Sequence, residues 1–374
     1  MSLRQKIEEE IRRHGPIPFS RYMEMCLYDP ERGYYAAHAE QFGKAGDFYT
    51  SSDVHAVFGR LLARQFEEMW RALGSPAALP VVELGPGRGL FAQDVMDWSE
   101  KKFPEFFHGL HYALVEASPA LRQRLAETLG KRIAEGRAKI FSSLEELPNK
   151  LSAPTIIFAN EFFDALPVEV LSHRGELRAG CEQGRFVESF VPSSAAALEY
   201  LDRYSVHPEA GERVEAALSA QDYMESIAQK LGRGFVIIID YGYTREEQLA
   251  GRHRGTVTAF RRHTISASPY EAPGEQDITA HVNFTALQSV AEKQGLEPLA
   301  LLTQAQFLMG IGEANQFADA FEGTRLPQEQ TKVALQLKHL VTPAAMGENF
   351  QVLVMGKGVD VASGRRLSGL KFAR

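Results

Sequence analysis

The sequence predicts an α/β fold, doubly wound, with an N-terminal helical cap and an α+β insertion between core strands four and five. Three observations carry that prediction. Short apolar runs at 81–84, 111–116, 155–159 and 234–240 have the length and composition of buried parallel strands. Segments of helical spacing separate them. The first run ends in three alternating glycines, Gly85, Gly87 and Gly89, and a helix-compatible segment follows at 90–98. Strand, glycine turn and helix in that order open a nucleotide-type domain: a backbone without Cβ atoms approaches a ligand closely, and a helix N-terminus offers N–H groups to an anionic end.

The bulk properties are compatible with that fold. A chain of 374 residues is long for one domain and suits an α/β core with a large insertion. An apolar fraction of 44% supplies a full core. A net charge of −7 with interspersed signs argues against nucleic acid as a partner. The two cysteines, Cys26 and Cys181, form no C-x-x-C pair, which excludes a disulfide framework and a structural zinc site by pattern. No apolar run reaches the length of a membrane span, and no signal-peptide core is evident, so a cytoplasmic location is expected.

Taken in order, 3–13 reads as a charged helix with Leu3, Ile7 and Ile11 on one face, stopped by Gly15 and Pro16. Helical spacing returns at 19–26. A proline-led turn at 28–35 carries Tyr28, Tyr34 and Tyr35, whose rings either stack on a ligand or pack, packing being the favoured reading. The stretch 42–53 is rich in glycine and hydroxyls and reads as a loop. Ser51, Ser52 or Asp53 then caps a helix over 54–73 with Val57, Phe58, Leu61, Phe66 and Trp70 on its apolar face. The core runs strand 81–84, helix 89–101, strand 111–116, helix 118–130 with Ser118 as cap and Pro119 at the first position, strand 138–141 and strand 155–159. From 168 the pattern alternates at 168–171 and 185–191, as in antiparallel strands, and turns helical over 212–231. Strand 234–240 follows, then a loop-like stretch over 244–280 with the basic cluster Arg252, His253, Arg254, Arg261, Arg262 and His263. Helix 284–294, strand 297–303, helices 305–321 and 327–340 and a strand from 350 to 355 complete the chain. The implied organisation is a cap (1–75), a first core half (76–167), a substrate-recognition insertion (168–233) and a second core half (234–374) with an inserted loop at 241–283.

The turn separates two cofactor classes. A dinucleotide fold needs G-x-G-x-x-G/A from the strand end, which places bulky Leu90 at the last position. Starting from Gly87 restores the pattern at Ala92, two residues too late for a tight turn. An acid inside the strand end, Glu83, followed by G-x-G-x-G instead resembles the first motif of S-adenosylmethionine-dependent methyltransferases. The next strand ends in Glu116, placed to accept the two hydroxyls of a ribose. Asn160, Glu161 and Asp164 crowd the end of the fourth strand and Asp240 the end of the fifth, where a doubly wound sheet binds its ligands.

Further segments extend the likeness along nearly the whole chain. They include Gly15-Pro16, Tyr28-Asp29-Pro30, Gly33-Tyr34-Tyr35, Gly46-Asp47-Phe48, the 83–89 turn, Glu116 with Ser118-Pro119, and 159–167. Phe58-Gly59, Asp240-Tyr241-Gly242, Gly255-Thr256, Pro273-Gly274, Asp277 to Val282, Phe307-Leu308 and Met346-Gly347 complete the set. On these residues the chain resembles the MidA-like methyltransferases, a family that includes a mitochondrial complex I assembly factor acting as a protein arginine methyltransferase. The family pattern has Thr-Ala-Pro-Glu where this chain has Thr50-Ser51-Ser52-Asp53. The resemblance implies a Rossmann-like methyltransferase sheet, S-adenosyl-L-methionine as cofactor, and methylation of an arginine on a respiratory complex I (NADH–quinone oxidoreductase) subunit, with the large peripheral-arm subunit as candidate.

Under that reading Gly85, Pro86, Gly87 and Gly89 pass the methionine moiety with Glu83 and Asn160 beside it, Glu116 holds the ribose, and Asp47 or Thr50 closes over the cofactor. An arginine acceptor calls for carboxylates that grip a planar fork. Glu161 and then Asp164 are the candidates, supported by Asn160, with Asp240, Asp277 and His281 for proton acceptance or positioning. A small-molecule methyltransferase and a non-catalytic assembly chaperone share these core motifs and stay open; a nicotinamide enzyme is disfavoured by the glycine register.

Overall fold

The runs read as buried strands do assemble one sheet. A computed structural model describes residues 1–37, 56–261, 264–324, 326–342 and 347–373. Numbered in chain order, the core strands are β1 (Leu79–Leu84), β2 (Leu110–Val115), β3 (Ala138–Phe141), β4 (Thr155–Asn160), β5 (Gly234–Tyr243), β6 (Glu297–Thr303) and β7 (Phe350–Lys357). Their spatial order is β3-β2-β1-β4-β5-β7-β6. β1 to β5 pair in parallel, whereas β7 runs antiparallel to both β5 and β6. The chain winds outward from β1 through β2 to β3, then returns to β4 on the other side of β1. That reversal opens a crevice at the carboxyl ends of β1 and β4.

Both faces of this sheet are covered, which is why its central strands β1, β4 and β5 are buried on both faces rather than alternating. Val81, Tyr112, Leu114, Ile156, Phe158, Ile237 and Ile239 face one helical layer, built on helices Ala56–Ala72 and Leu90–Lys102. Val82, Leu84, Val115, Ile157, Ala159, Val236 and Ile238 face the other, with Met224 and Ile227 of helix Leu218–Lys230 and Leu287 of helix Phe284–Lys293.

The segment between β4 and β5 forms a second antiparallel sheet from Glu169–Ser172, Gly175–Glu182, Arg185–Val191 and Arg213–Ala216, joined by Ile17–Pro18. The N-terminal helices Leu3–His14 and Phe19–Tyr28 lie against it. Leu3, Ile7, Ile11, Tyr22 and Leu27 share one core with Val170, Leu177 and Ala179 of that sheet and with Ala259, Ile278 and Ala280.

Several elements depart from the sequence reading. The stretch 212–231 is not helical throughout, because Arg213–Ala216 pairs with Glu169–Ser172 before helix Leu218–Lys230 begins. Helix Ala195–Tyr204, capped by Ser194, was not foreseen. The stretch 244–280 carries helix Arg245–Leu249 and a small sheet of Thr258–Arg261, Thr264–Ile265 and Asp277–Thr279. These strands are at most four residues long and lack a local period; only the pairing partner, distant in sequence, fixes them. Of the basic cluster, Arg254 pairs with Glu212 and Arg261 with Glu275. Among the described residues no helix is long and apolar enough to cross a membrane, and no group of acidic, histidine or cysteine side chains is gathered as a metal site.

Candidate active site

The crevice at the strand ends is a cleft of about 1260 Å³, part of it open to solvent. Its floor comes from the turn after β1. Gly85, Gly87 and Gly89 all adopt positive φ, the backbone region that glycine enters without a Cβ penalty. At Gly87 a Cβ would meet nothing within 4 Å, so the side of this residue that glycine leaves bare faces open space in the cleft. At Gly89 a Cβ would lie 2.4 Å from Leu125 Cδ1, so this glycine serves the packing of the turn on helix Pro119–Thr128 instead. Phe91 and Phe158, stacked at 4.5 Å, form the apolar underside.

Two acids flank the turn. Glu83 on β1 is buried, its Oε2 accepts no hydrogen bond from the described residues, and burial pushes its carboxyl up to about 8. Glu116 directly follows β2. Burial raises it to about 7, while N–H groups of Ser118 and Gly87 and the nearby Arg122 pull it down. Ser118 N–H donates to Glu116 Oε1 at 2.9 Å and Ser118 Oγ caps the helix that begins at Pro119, so one serine fixes both the acid and the helix. Asn160 Oδ1 is a second buried acceptor in the cleft without a partner among the described residues. Unsatisfied buried acceptors are costly and rare. Here they line a cleft whose glycine floor is bare, which fits a ligand carrying an ammonium group and hydroxyls, as S-adenosylmethionine does.

The opposite end of the cleft is acidic and aromatic. β4 ends at Asn160, whose Nδ2 donates to Glu161 Oε1 at 3.1 Å. Glu161 N–H still bonds Ile239 O in sheet register, yet its own φ is +50°, the left-handed region that non-glycine residues enter at a cost. Asp164 is buried beside Asp240 and Asp277; burial and those two charges hold its carboxyl well above the usual carboxylate range. Asp277 arrives from the small sheet and accepts from Tyr35 Oη at 3.2 Å. Tyr28 Oη donates to Ala165 O at 3.0 Å, and Ser118 Oγ donates to Tyr35 O. Tyr223, from helix Leu218–Lys230, closes the wall against Phe162.

The structure thus brings Glu83, Gly85, Pro86, Gly87, Glu116, Asn160, Glu161, Asp164 and Asp277 to one cleft. Gly89 sits just beneath it. Asp240 does not reach it: fully buried, it accepts four backbone N–H groups, those of Phe162, Phe163 and Asp164 on Oδ2 and that of Tyr241 on Oδ1. His281 does not reach it either. It borders a separate small apolar cavity, contacts His253 Nδ1 at 3.2 Å, and is held neutral by burial and that neighbour, its pKa lowered to about 4. Asp47 and Thr50 lie outside the described residues, as do Asp53 and Met346. The sequence reading missed Tyr28, Tyr35 and Tyr223 as lining residues. For the first two packing was the favoured reading, and they also pack; Tyr223 carries no local signal, being one tyrosine on an ordinary helix.

The comparisons with known proteins agree with this geometry. A family model described as "Putative S-adenosyl-L-methionine-dependent methyltransferase" matches residues 61–302. The chain is 31% identical to the Drosophila melanogaster protein arginine methyltransferase NDUFAF7 homolog, over 96% of this chain and 86% of that protein. The human protein arginine methyltransferase NDUFAF7 is 27% identical over 92% and 81%. A crystal structure of a "likely methyl transferase" from Burkholderia thailandensis, bound to S-adenosyl-homocysteine, superposes with a TM-score of 0.83 at 29% identity, covering 99% of this chain and 95% of that one. Both named arginine methyltransferases are mitochondrial proteins, which overturns the cytoplasmic location expected from the sequence. With its fold, its cleft and a match over most of its length, the chain belongs to the MidA-like family it resembles and is an S-adenosylmethionine-dependent methyltransferase.

Proposed function

We propose that this methyltransferase acts on an arginine side chain of a protein, and that the protein is a subunit of a complex I-type NADH–quinone oxidoreductase, methylated during assembly. The observation that carries the reading is the acidic, aromatic end of the cleft, where Glu161, Asp164 and Asp277 stand among Tyr28, Tyr35, Phe162 and Tyr223. A guanidinium is planar, always charged and weakly hydrated, so it suits carboxylates set between rings. The relatives named as protein arginine methyltransferases support the same acceptor.

When bound, S-adenosylmethionine supplies an electrophilic methyl group on a sulfonium. The chain's own residues divide the remaining work. Glu83, Gly87, Glu116 and Asn160 hold and orient the donor. Glu161 and Asp277 grip the acceptor fork and point one nitrogen along the line of displacement, which is where most of the rate enhancement of such a transfer arises. Methylation of a guanidinium releases one proton, and the carboxylate cluster stands beside the reacting nitrogen to receive it. Residues 3–34 and the insertion, which share a core on the acceptor side, present the protein substrate to the cleft.

The test incubates the purified protein with methyl-labelled S-adenosylmethionine and an extract of cells lacking this methyltransferase, then hydrolyses the labelled material. Methylarginine recovered from an NADH–quinone oxidoreductase subunit is the expected result. Label confined to small molecules overturns the protein reading, and label in lysine or a terminal amine overturns the arginine reading. Glu161→Gln is expected to bind S-adenosylhomocysteine within twofold of wild type and to lose about 100-fold or more in transfer, the scale of one positioned acid or base.

A further inference from the structure

Asp240 does not line the cleft, yet beside it its carboxylate accepts four backbone N–H groups. Three successive N–H groups, those of Phe162, Phe163 and Asp164, converge on Oδ2 at 3.2, 2.9 and 3.2 Å. Oδ1 takes the N–H of Tyr241 at 2.9 Å. Successive N–H groups aimed at one point form an anion-binding nest, and here the anion is supplied by the neighbouring strand of the same sheet.

The residue just before the nest is Glu161. Its N–H lies in register with β5, bonded to Ile239 O at 2.9 Å. One residue later the chain has turned far enough for the next three N–H groups to face back toward β5. That reversal takes place at Glu161 alone, whose φ is +50°. Glycine would take this conformation without strain, so a glutamate here is held in it by the anchored backbone of residues 162–164. Its side chain is thereby turned into the cleft, with Oε1 tethered by Asn160.

We infer that Asp240 is a positioning residue for methyl transfer: by gathering the N–H groups of residues 162–164 it imposes the left-handed backbone at Glu161 and fixes the direction of that carboxylate. The inference rests on the reading of Glu161 as the acid that orients the acceptor. A purely structural role would be limited to satisfying buried N–H groups and would give no reason for the strained residue to be the one that lines the cleft. Burial and the Glu161 charge raise the Asp240 carboxyl to about 8 while its N–H donors pull it down; Asp164, raised further by burial and by the Asp240 and Asp277 charges, is the member of the buried pair that holds its proton more firmly.

The test uses the full-length protein, the extract-labelling assay and calorimetry with S-adenosylhomocysteine. Asp240→Asn keeps the shape but weakens the nest. It is expected to bind S-adenosylhomocysteine within about twofold of wild type and to lose about 100-fold in transfer, the scale at which a misplacement of about 1 Å is felt. Added to Glu161→Gln, it should cost no further factor, because residues acting through one another are non-additive. Transfer within threefold of wild type, or a loss that multiplies that of Glu161→Gln, overturns the inference. Full transfer by Glu161→Gln removes the reading on which it rests, a separate result. If Asp240→Asn fails to fold, thermal unfolding of Glu161→Gly and Glu161→Ala decides. The glycine variant should melt higher, since only alanine retains the strain, and the reverse order overturns the inference.

Discussion

Gly87 and Glu83 make opposite demands at the donor end of the cleft, one for empty space and the other for a partner. Gly87 combines positive φ with a face open to the cleft. Gly87→Ala therefore adds backbone strain of about 1–2 kcal/mol and intrudes on the donor's path, and calorimetry should find S-adenosylhomocysteine bound about tenfold more weakly, a change of about 1.4 kcal/mol. Glu83 titrates near 8 in the folded chain against 4.5 ordinarily. Between those values the native state holds a proton that the unfolded chain has released, so stability falls as pH rises through that window. Urea midpoints without cofactor should drop more between about pH 5 and pH 8 in wild type than in Glu83→Gln; equal slopes would sink the assignment. At this scale the sequence was informative wherever chemistry and backbone coincide. The glycine register, Glu83, Glu116 and the polar residues after β4 were all recognisable as strand-end features. Asp240 was recognisable as a strand-end acid but not as one that points backward, because the direction of a carboxylate depends on a loop 76–78 residues away in sequence.

Among the elements, the N-terminal helices contribute more than cover. Helix Phe19–Tyr28 buries Tyr22, Met23 and Leu27 completely against the second sheet. Its last residue, Tyr28, lines the cleft and bonds Ala165. Leu27→Ala leaves a cavity in that shared core and should cost about 2–5 kcal/mol in urea unfolding. It should also weaken S-adenosylhomocysteine binding, because Tyr28 is displaced with the helix; undiminished affinity would mean that the helix is only a lid support. The helix itself was legible from its spacing. Strand Arg213–Ala216 of the second sheet was not, since it sits in a stretch that reads as helical and acquires strand conformation only by pairing with Glu169–Ser172. The parallel core strands needed no such help. β4 and β5 carry the longest apolar runs, Ile156–Ala159 and Phe235–Ile239, because helices cover both faces.

Across the whole molecule, the order β3-β2-β1-β4-β5-β7-β6 puts the reversal point, and hence the cleft, between β1 and β4. The residues lining it therefore come from helix Leu218–Lys230, the small sheet and the first 37 residues as well as from the core. A ligand that bridges these parts stabilises them together. S-adenosylhomocysteine at 100 times its dissociation constant should add about 2.7 kcal/mol to unfolding, read as a shift in the thermal midpoint of one shared transition. Separate transitions, with only one moving, would show that the two cores unfold independently.

The Tyr35–Asp277 hydrogen bond joins residues 242 positions apart, and that separation has a consequence on the ribosome. The apolar stripe of Leu3, Ile7 and Ile11 emerges early, but its partners Ala259, Ile278 and Ala280 do not yet exist. At roughly 5–20 residues per second, Tyr35 waits on the order of 12–48 seconds for Asp277 to be synthesised. Until the second sheet is made the nascent chain carries that apolar stripe without its partners, and no polypeptide that ends before Asp277 can present a finished catalytic wall. Synthesis of Asp277 is thus an earliest bound on when this enzyme can become competent.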